Sequence, residues 1–172
     1  MKRKIEEQAR DYILPDVLAV GLDVVFCGSA AGTRSAQAGA YYAGPGNRFW
    51  PKLFSIGLIP ERIRPADFRQ VICYGIGLTD LAKKASGSDA SLSKSDYDSL
   101  SLRMKITASA PRLLAFNGKR AASLFLRRPV QYGLQAESIE STALYVLPST
   151  SSAARRFWCD EPWLALVKWL RR

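Results

Sequence analysis

The chain has 172 residues, 48% hydrophobic and 23% charged, enough for one domain with its own core. No window approaches the roughly 18 consecutive apolar residues of a membrane span, and the start "MKRKIEEQARDY" has glutamates where a secretion signal needs an apolar stretch, so a cytoplasmic monomer without membrane contact is expected. Histidine is absent, which excludes Ser-His, Cys-His and His-metal sites, and 25 Lys plus Arg against 15 Asp plus Glu leave a net charge of +10 that favours polyanionic partners such as nucleic acid.

Residues 1–18 read as an N-terminal extension, the first dozen mobile, to a single domain spanning 1–172. "LDVVFC" at 22–27 is the first buried strand, and "GSAAG" at 28–32 is expected to end it in a tight turn. Ser29, Ala30 and Ala31 between those glycines carry no group for acid–base work, and no Gly-Lys-Ser/Thr follows to make a phosphate loop. "AYYAGPGNRFWP" at 40–51 then packs aromatics and turn glycines ahead of a helix expected from Arg48 to Gly57. Tyr41 or Tyr42 is placed to stack on a flat base, Tyr42 being favoured, whereas Phe49 and Trp50 read as core. "YGIGL" at 74–78 is a second strand, "TDLAKK" a loop at its end, and 83–95 a mobile stretch.

A helix from about Ser95 to Ser109 is stopped by Pro111, "RLLAF" at 112–116 is the third strand, and "NGKR" leads into a helix from Lys119 to Leu126 stopped by Pro129. Between Ser99 and Ala136 there is no acidic residue, but Arg103, Lys105, Arg112, Lys119, Arg120, Arg127 and Arg128 form a basic belt; the bland alternative is a solvated face. "ALYVL" at 143–147 is the fourth strand. Its loop, "LPSTSSAARRFW", offers hydroxyls and two arginines of the kind that hold phosphate or enter a base stack, or else a plain polar surface. Asp160 is placed to cap a last helix with Pro162 in its first turn and Trp163, Leu164, Val167 and Leu170 on its apolar side. Cys27, Cys73 and Cys159 are too few and too widely spaced for a disulfide framework or metal set and read as reduced thiols, most of them buried. Alternating strands and helices indicate an α/β fold whose parallel sheet is covered on both faces, with ligands at the carboxyl ends of the strands.

Taken together, "VVFCGSAAGTRSAQAGAYYAGPGNRFW", "GIGLTDL", "LLAFNGKRAA" and "LPSTSSAARRFW" resemble the mismatch-specific uracil-DNA and thymine-DNA glycosylase branch of the uracil-DNA glycosylase superfamily, over roughly residues 20–170. "GSxxG", "YYAGPGN", "FNG" and "LPSTS" also resemble the hypoxanthine-DNA glycosylase branch. The resemblance implies a three-layer α/β/α sandwich with a central four-stranded parallel sheet, no cofactor and no metal, and hydrolysis of the N-glycosidic bond of a base flipped out of DNA, uracil above all. It places base-binding residues at Gly28, Ser29, Ala30, Gly32, Ser35, Tyr42 and Asn117, the Tyr42 ring standing where many relatives have Phe. Ser149, Thr150, Ser151 and Ser152 would hold phosphate, Ala153, Ala154, Arg155 and Arg156 would fill the gap left by the flipped nucleotide, and Lys119 and Arg120 would join the DNA-binding surface.

One departure matters: relatives of the mismatch-specific type have Gly-Ile-Asn-Pro-Gly in the first loop, with the asparagine positioning the attacking water, and this chain has Ala30 there. Asp80 in "GLTDL" is the leading candidate for that role and Asn47 the second. Asp80 or Thr79 would otherwise be a helix N-cap, and Asn117 would read a base edge or simply close a turn. The alternatives for the whole protein are a catalytically weakened binder of damaged or abasic DNA, or a glycosylase preferring hypoxanthine or xanthine.

Overall fold

The computed structural model describes residues 11–172. The expectation of mobility in the first dozen residues lies outside the described residues for 1–10. Alternation within the first apolar run sets the architecture. Val24 and Phe26 point into one buried cluster with Phe49, Leu53 and Trp163, while Val25 and Cys27 point into another with Ile106, Phe116 and Phe125. A strand buried on both faces belongs in the middle of a parallel sheet.

That strand is β1 (Val24–Ala31), joined by β2 (Ile76–Ser86), β3 (Leu113–Asn117), β4 (Gly133–Ile139) and β5 (Thr142–Leu147) in the order β2-β1-β3-β5-β4. The fold is mixed α/β, with a mostly parallel five-stranded sheet flanked by helices. The four expected strands are all present and mutually parallel, but the sheet has a fifth, β4, antiparallel to β5. β4 escaped the sequence reading because "GLQAESI" is mostly exposed and polar, as an edge strand can be. The helices are α1 (Thr33–Ala38), α2 (Phe49–Ser55), α3 (Ser99–Ser109), α4 (Lys119–Leu126) and α5 (Glu161–Leu170). Three-residue-per-turn segments occupy Pro65–Tyr74, Lys94–Asp96 and Ser152–Phe157. Among the described residues no helix is long and apolar enough to cross a membrane.

Several local expectations are corrected. "GSAAG" does not stop β1, which stays paired with β2 as far as Ala31 across a register shift. "TDLAKK" is not a loop but the middle of β2, and residues 83–86 complete that strand rather than begin a mobile stretch. Beyond it, Gly87 donates to the Ala31 carbonyl and a capping box closes Ser93 onto Asp96. Asp160 stands at the N-cap of α5 without bonding its backbone, because its carboxylate pairs with Lys52. The buried side of α5 is Trp163, Leu166 and Val167, leaving Leu164 exposed. Of the cysteines only Cys27 is buried.

Residues 12–18 are built onto the sheet edge. Leu14 and Val17 are buried, Val17 pairs with Leu78, and Ile13 N–H donates to the Lys83 carbonyl. Asp16 anchors this segment, accepting from Thr79 Oγ1 at 2.7 Å and pairing with Lys83 at 2.8 Å and Lys105 at 2.6 Å. This pairing covers an otherwise open strand edge.

Candidate active site

From β1 the chain reaches β2 on one side and β3 on the other, so the carboxyl ends of these strands frame a switch point where α/β proteins bind ligands. Register assembles the site there. Asp80 is paired with Gly28, and Asn117 with Leu147, one residue beyond the Cys27–Phe116 pair, so the three candidates share one level of the sheet.

Asp80 is only 4% exposed. Burial is the main force raising its carboxyl from 3.8 to about 6; Lys83 and Lys105 oppose that shift and the Asp16 charge adds to it. Both lysines make their ion pairs with Asp16. In mid-strand, Asp80 caps no helix, which removes the structural alternative for it. The glycine facing it gives it room: a Cβ on Gly28 would collide with Asp80 Oδ1 and force the carboxylate to shift. Gly28 is thus needed for close approach, and neither Gly28 nor Gly32 uses left-handed backbone.

Tyr42 enters from the loop before α2 with φ +54, a conformation uncommon for a side chain this large. Its ring stacks on Phe49 with centroids 3.8 Å apart and planes at 25°. Ser35, buried on α1, fixes the loop by accepting from Ala43 N–H at 3.1 Å. Tyr41, by contrast, is a core residue whose hydroxyl accepts from Lys83 Nζ at 2.8 Å, and Phe49 and Trp50 are core as expected. Asn47 sits just before α2, its Oδ1 accepting from Phe49 N–H at 3.0 Å. It lines a cavity of about 320 Å³ with Tyr42, Trp50, Arg62 and Ile63. A second cavity of the same size, bounded by Asp23, Ile76 and Arg112, opens at the opposite ends of the strands.

Asn117 is tied down on both sides of its amide: Nδ2 donates to Thr150 Oγ1 at 2.8 Å and Oδ1 accepts from Thr150 N–H at 3.0 Å. The Thr150 carbonyl accepts from Arg48 N–H, and Thr150 is wholly buried. Thr150 is therefore an internal strut, and the expectation that it holds phosphate is corrected. Ser151 and Ser152 are exposed and Ser149 half-buried against Gly118, whose φ of +126 disfavours a side chain and where an added Cβ would stand 3.3 Å from Ser149 Cβ.

Ala153 donates to Ser151 Oγ in the short helix that carries Ala154, Arg155 and Arg156. The Arg155 guanidinium lies over Gly46, and that of Arg156 4.7 Å above the Phe157 ring. Ser29 Oγ donates to Asp89 at 2.5 Å, tying the Ala30 loop to the 87–92 turn. Lys119 reaches Gln131 and stands over Tyr132, and Arg120 stands near Tyr97. The basic belt is thinner than its sequence suggests, since Lys105, Arg112 and Arg128 pair with Asp16, Asp23 and Glu137.

Three features escaped the sequence reading. Asp16 and Lys83 face each other across 67 residues of chain, and nothing local marks the pair. Asp89 is hidden in a serine-rich turn. Phe157, 58% exposed at the end of the arginine loop, had a visible signal: a large apolar residue directly after two arginines.

Residues 15–168 match the family model of the uracil DNA glycosylase superfamily. The solution NMR structure of a candidate uracil DNA glycosylase from Methanosarcina acetivorans superposes with a TM-score of 0.65 at 25% identity, covering 92% of this chain and 97% of that one.

Proposed function

The chain belongs to the uracil DNA glycosylase superfamily, and we propose that within it the protein is a monofunctional glycosylase of the mismatch-specific branch that excises uracil from DNA. The observation that carries this reading is Asp80, a buried carboxylate with a raised pKa in mid-β2, level with the carboxyl ends of β3 and β5. Such a group opposes folding at neutral pH, and a carboxylate titrating near 6 is suited to take a proton from water, which supports a catalytic reading over simple binding of damaged DNA.

In the reaction a mispaired uracil, cheaper to extrude than a paired one, leaves the duplex and stacks on the Tyr42 face opposite Phe49. Backbone donors at Gly32 and Tyr42 meet the base, and Gly28, Ser29 and Ala30 wall the sugar side. Asp80 accepts a proton from a water whose oxygen attacks the deoxyribose C1′, while the bond from C1′ to the base nitrogen breaks and its electron pair leaves with the base. Asp80 is preferred over Asn47 because a carboxylate can take the water's proton, whereas the Asn47 amide can only orient a water, with an Oδ1 already shared with Phe49 N–H. Ser149, Ser151, Ser152, Lys119 and Arg120 hold phosphates, and no cofactor is required. The protein acts as a monomer in the cytoplasm.

The deciding assay measures alkali-labile abasic sites in oligonucleotides carrying uracil, hypoxanthine, xanthine or thymine, single-stranded and in each pairing. Uracil should be released and thymine spared. A G:T duplex cut while uracil DNA stays intact at enzyme excess would overturn the reading.

Arg155 and Arg156, with the exposed Phe157 ring, are the groups that fill the emptied stack. A plug that recovers even about 1.4 kcal/mol of the few kcal/mol of unstacking is worth about tenfold in rate. Arg155→Ala/Arg156→Ala should therefore slow duplex excision about tenfold more than single-strand excision. Equal losses on both substrates would make them phosphate contacts alone.

A further inference from the structure

The chain between α2 and β2 has no part in the reaction just described. It leaves α2 through Gly57, beside the cavity at the opposite ends of the strands, and climbs to a crest at Arg62–Pro65 against Tyr42 and Asn47. From there it descends through Pro65–Tyr74 to the start of β2. Ile63 fastens the crest, being only 5% exposed, and the arginines on either side of it, Arg62 and Arg64, are turned out to solvent.

The cavity of about 320 Å³ beneath this crest is walled by Tyr42, Asn47, Trp50, Pro51 and Ile63, with the two arginines beside them. Gly28, Asp80 and Asn117 do not line it, so it is not the place of the flipped base but adjoins that place through Tyr42 and Asn47. Its size is near the lower end of the range for ligand pockets, about 300 to 1,000 Å³, and suits one small flat group. Most of the wall is apolar. Asn47 adds a donor: its Oδ1 is taken by Phe49 N–H, and its Nδ2 makes no hydrogen bond among the described residues.

No carboxylate lines the cavity. Arg64 is held by Asp67 at 2.8 Å, whereas Arg62 forms no ion pair among the described residues. An apolar slot with an amide donor in its wall and an uncommitted guanidinium beside it matches a base joined to a phosphate. Continuity with the Tyr42 site places that nucleotide on the same strand as the flipped one. We infer that the cavity is a second nucleotide subsite, taking the nucleotide that adjoins the flipped one, its base against Ile63 and Pro51 and its phosphate on Arg62. A base that enters it must be free of its own pairing partner, so the subsite serves single strands.

The inference takes the identity of the strand from the glycosylase reading, and its test needs no turnover. Affinity is measured by fluorescence anisotropy on single-stranded oligonucleotides carrying 2′-fluoro-deoxyuridine, whose glycosidic bond resists hydrolysis. A tetrahydrofuran replacing the base on one side of the uracil should weaken wild-type binding about tenfold, the worth of one stacked base, and on the other side should leave it unchanged. Arg62→Ala alters an exposed side chain and should melt with wild type, but it should bind less tightly and lower the slope of log Kd against log salt by about 0.7. It should also erase the penalty for neutralising that nucleotide's phosphate as a methylphosphonate. Arg171→Ala removes the same charge at the opposite ends of the strands and should keep that penalty. Equal tetrahydrofuran penalties on both sides, no penalty on either, or a methylphosphonate penalty that survives in Arg62→Ala overturns the inference. If wild type releases no uracil from the ordinary oligonucleotide, the glycosylase reading fails while the binding measurements still decide the subsite.

Discussion

Asp80→Asn should reduce single-turnover uracil excision by about 10² to 10⁴, the usual worth of general-base help, with DNA binding close to wild type. The variant keeps the shape of the side chain but can no longer take a proton. The wild-type rate should rise with pH through about 6, where the Asp80 carboxyl titrates, and then level off; in the variant that limb should vanish.

Stability supplies an independent check of opposite sign. The folded-state value of Asp80 lies above its unfolded one of 3.8, so the proton it holds favours the fold at low pH, and that contribution is lost as the pH rises through about 6. A shift of about two units corresponds to about 3 kcal/mol working against the native state at pH 8. Asp80→Asn removes that opposition and should melt higher than wild type at pH 8, with less gain at pH 5. A variant that excised normally and melted earlier would show that Asp80 is structural, and the water-orienting role would pass to Asn47.

Asp16→Ala should be strongly destabilising, by about 3–5 kcal/mol in denaturant unfolding at pH 7, the cost of leaving a buried partner charge uncompensated. Lys83 has only 6% of its side chain exposed and Lys105 12%, and both lose their carboxylate at once, as does the Thr79 hydroxyl. Burial works to raise the Asp16 carboxyl, but the two lysines outweigh it, and the net value is lower than that of a free aspartate. With the folded-state value depressed, its stabilisation is present above the unfolded value of 3.8 and is lost as the pH falls through the folded one. The gap between wild type and Asp16→Ala should accordingly narrow on acidification below pH 4. A difference under about 1 kcal/mol at pH 7 would mean that water, rather than Asp16, solvates the lysines.

The sequence by itself determined the parallel core and the family. Apolar runs of strand length, separated by helix-length segments, are local signals, and β1, β3, β5, α2, α3 and α4 were legible because each needs only its own residues and stops. The glycine and aromatic motifs were equally local, which is why Gly28, Tyr42 and the arginine loop could be proposed as site residues from the sequence. Tertiary structure decided everything that depends on a distant partner. β1 runs on through Ala31 because β2 is there to pair with it, and β4 exists because β5 lends it one edge despite a polar sequence. Thr150 looked like a phosphate contact until Asn117, 33 residues away, was found to hold both its hydroxyl and its N–H. Asp80 itself was visible as a residue, but its burial was not. Its raised pKa comes from that burial, with the Asp16 charge in the segment before β1 adding to it and Lys83 on β2 and Lys105 on α3 opposing it, groups that only folding brings within reach of one another.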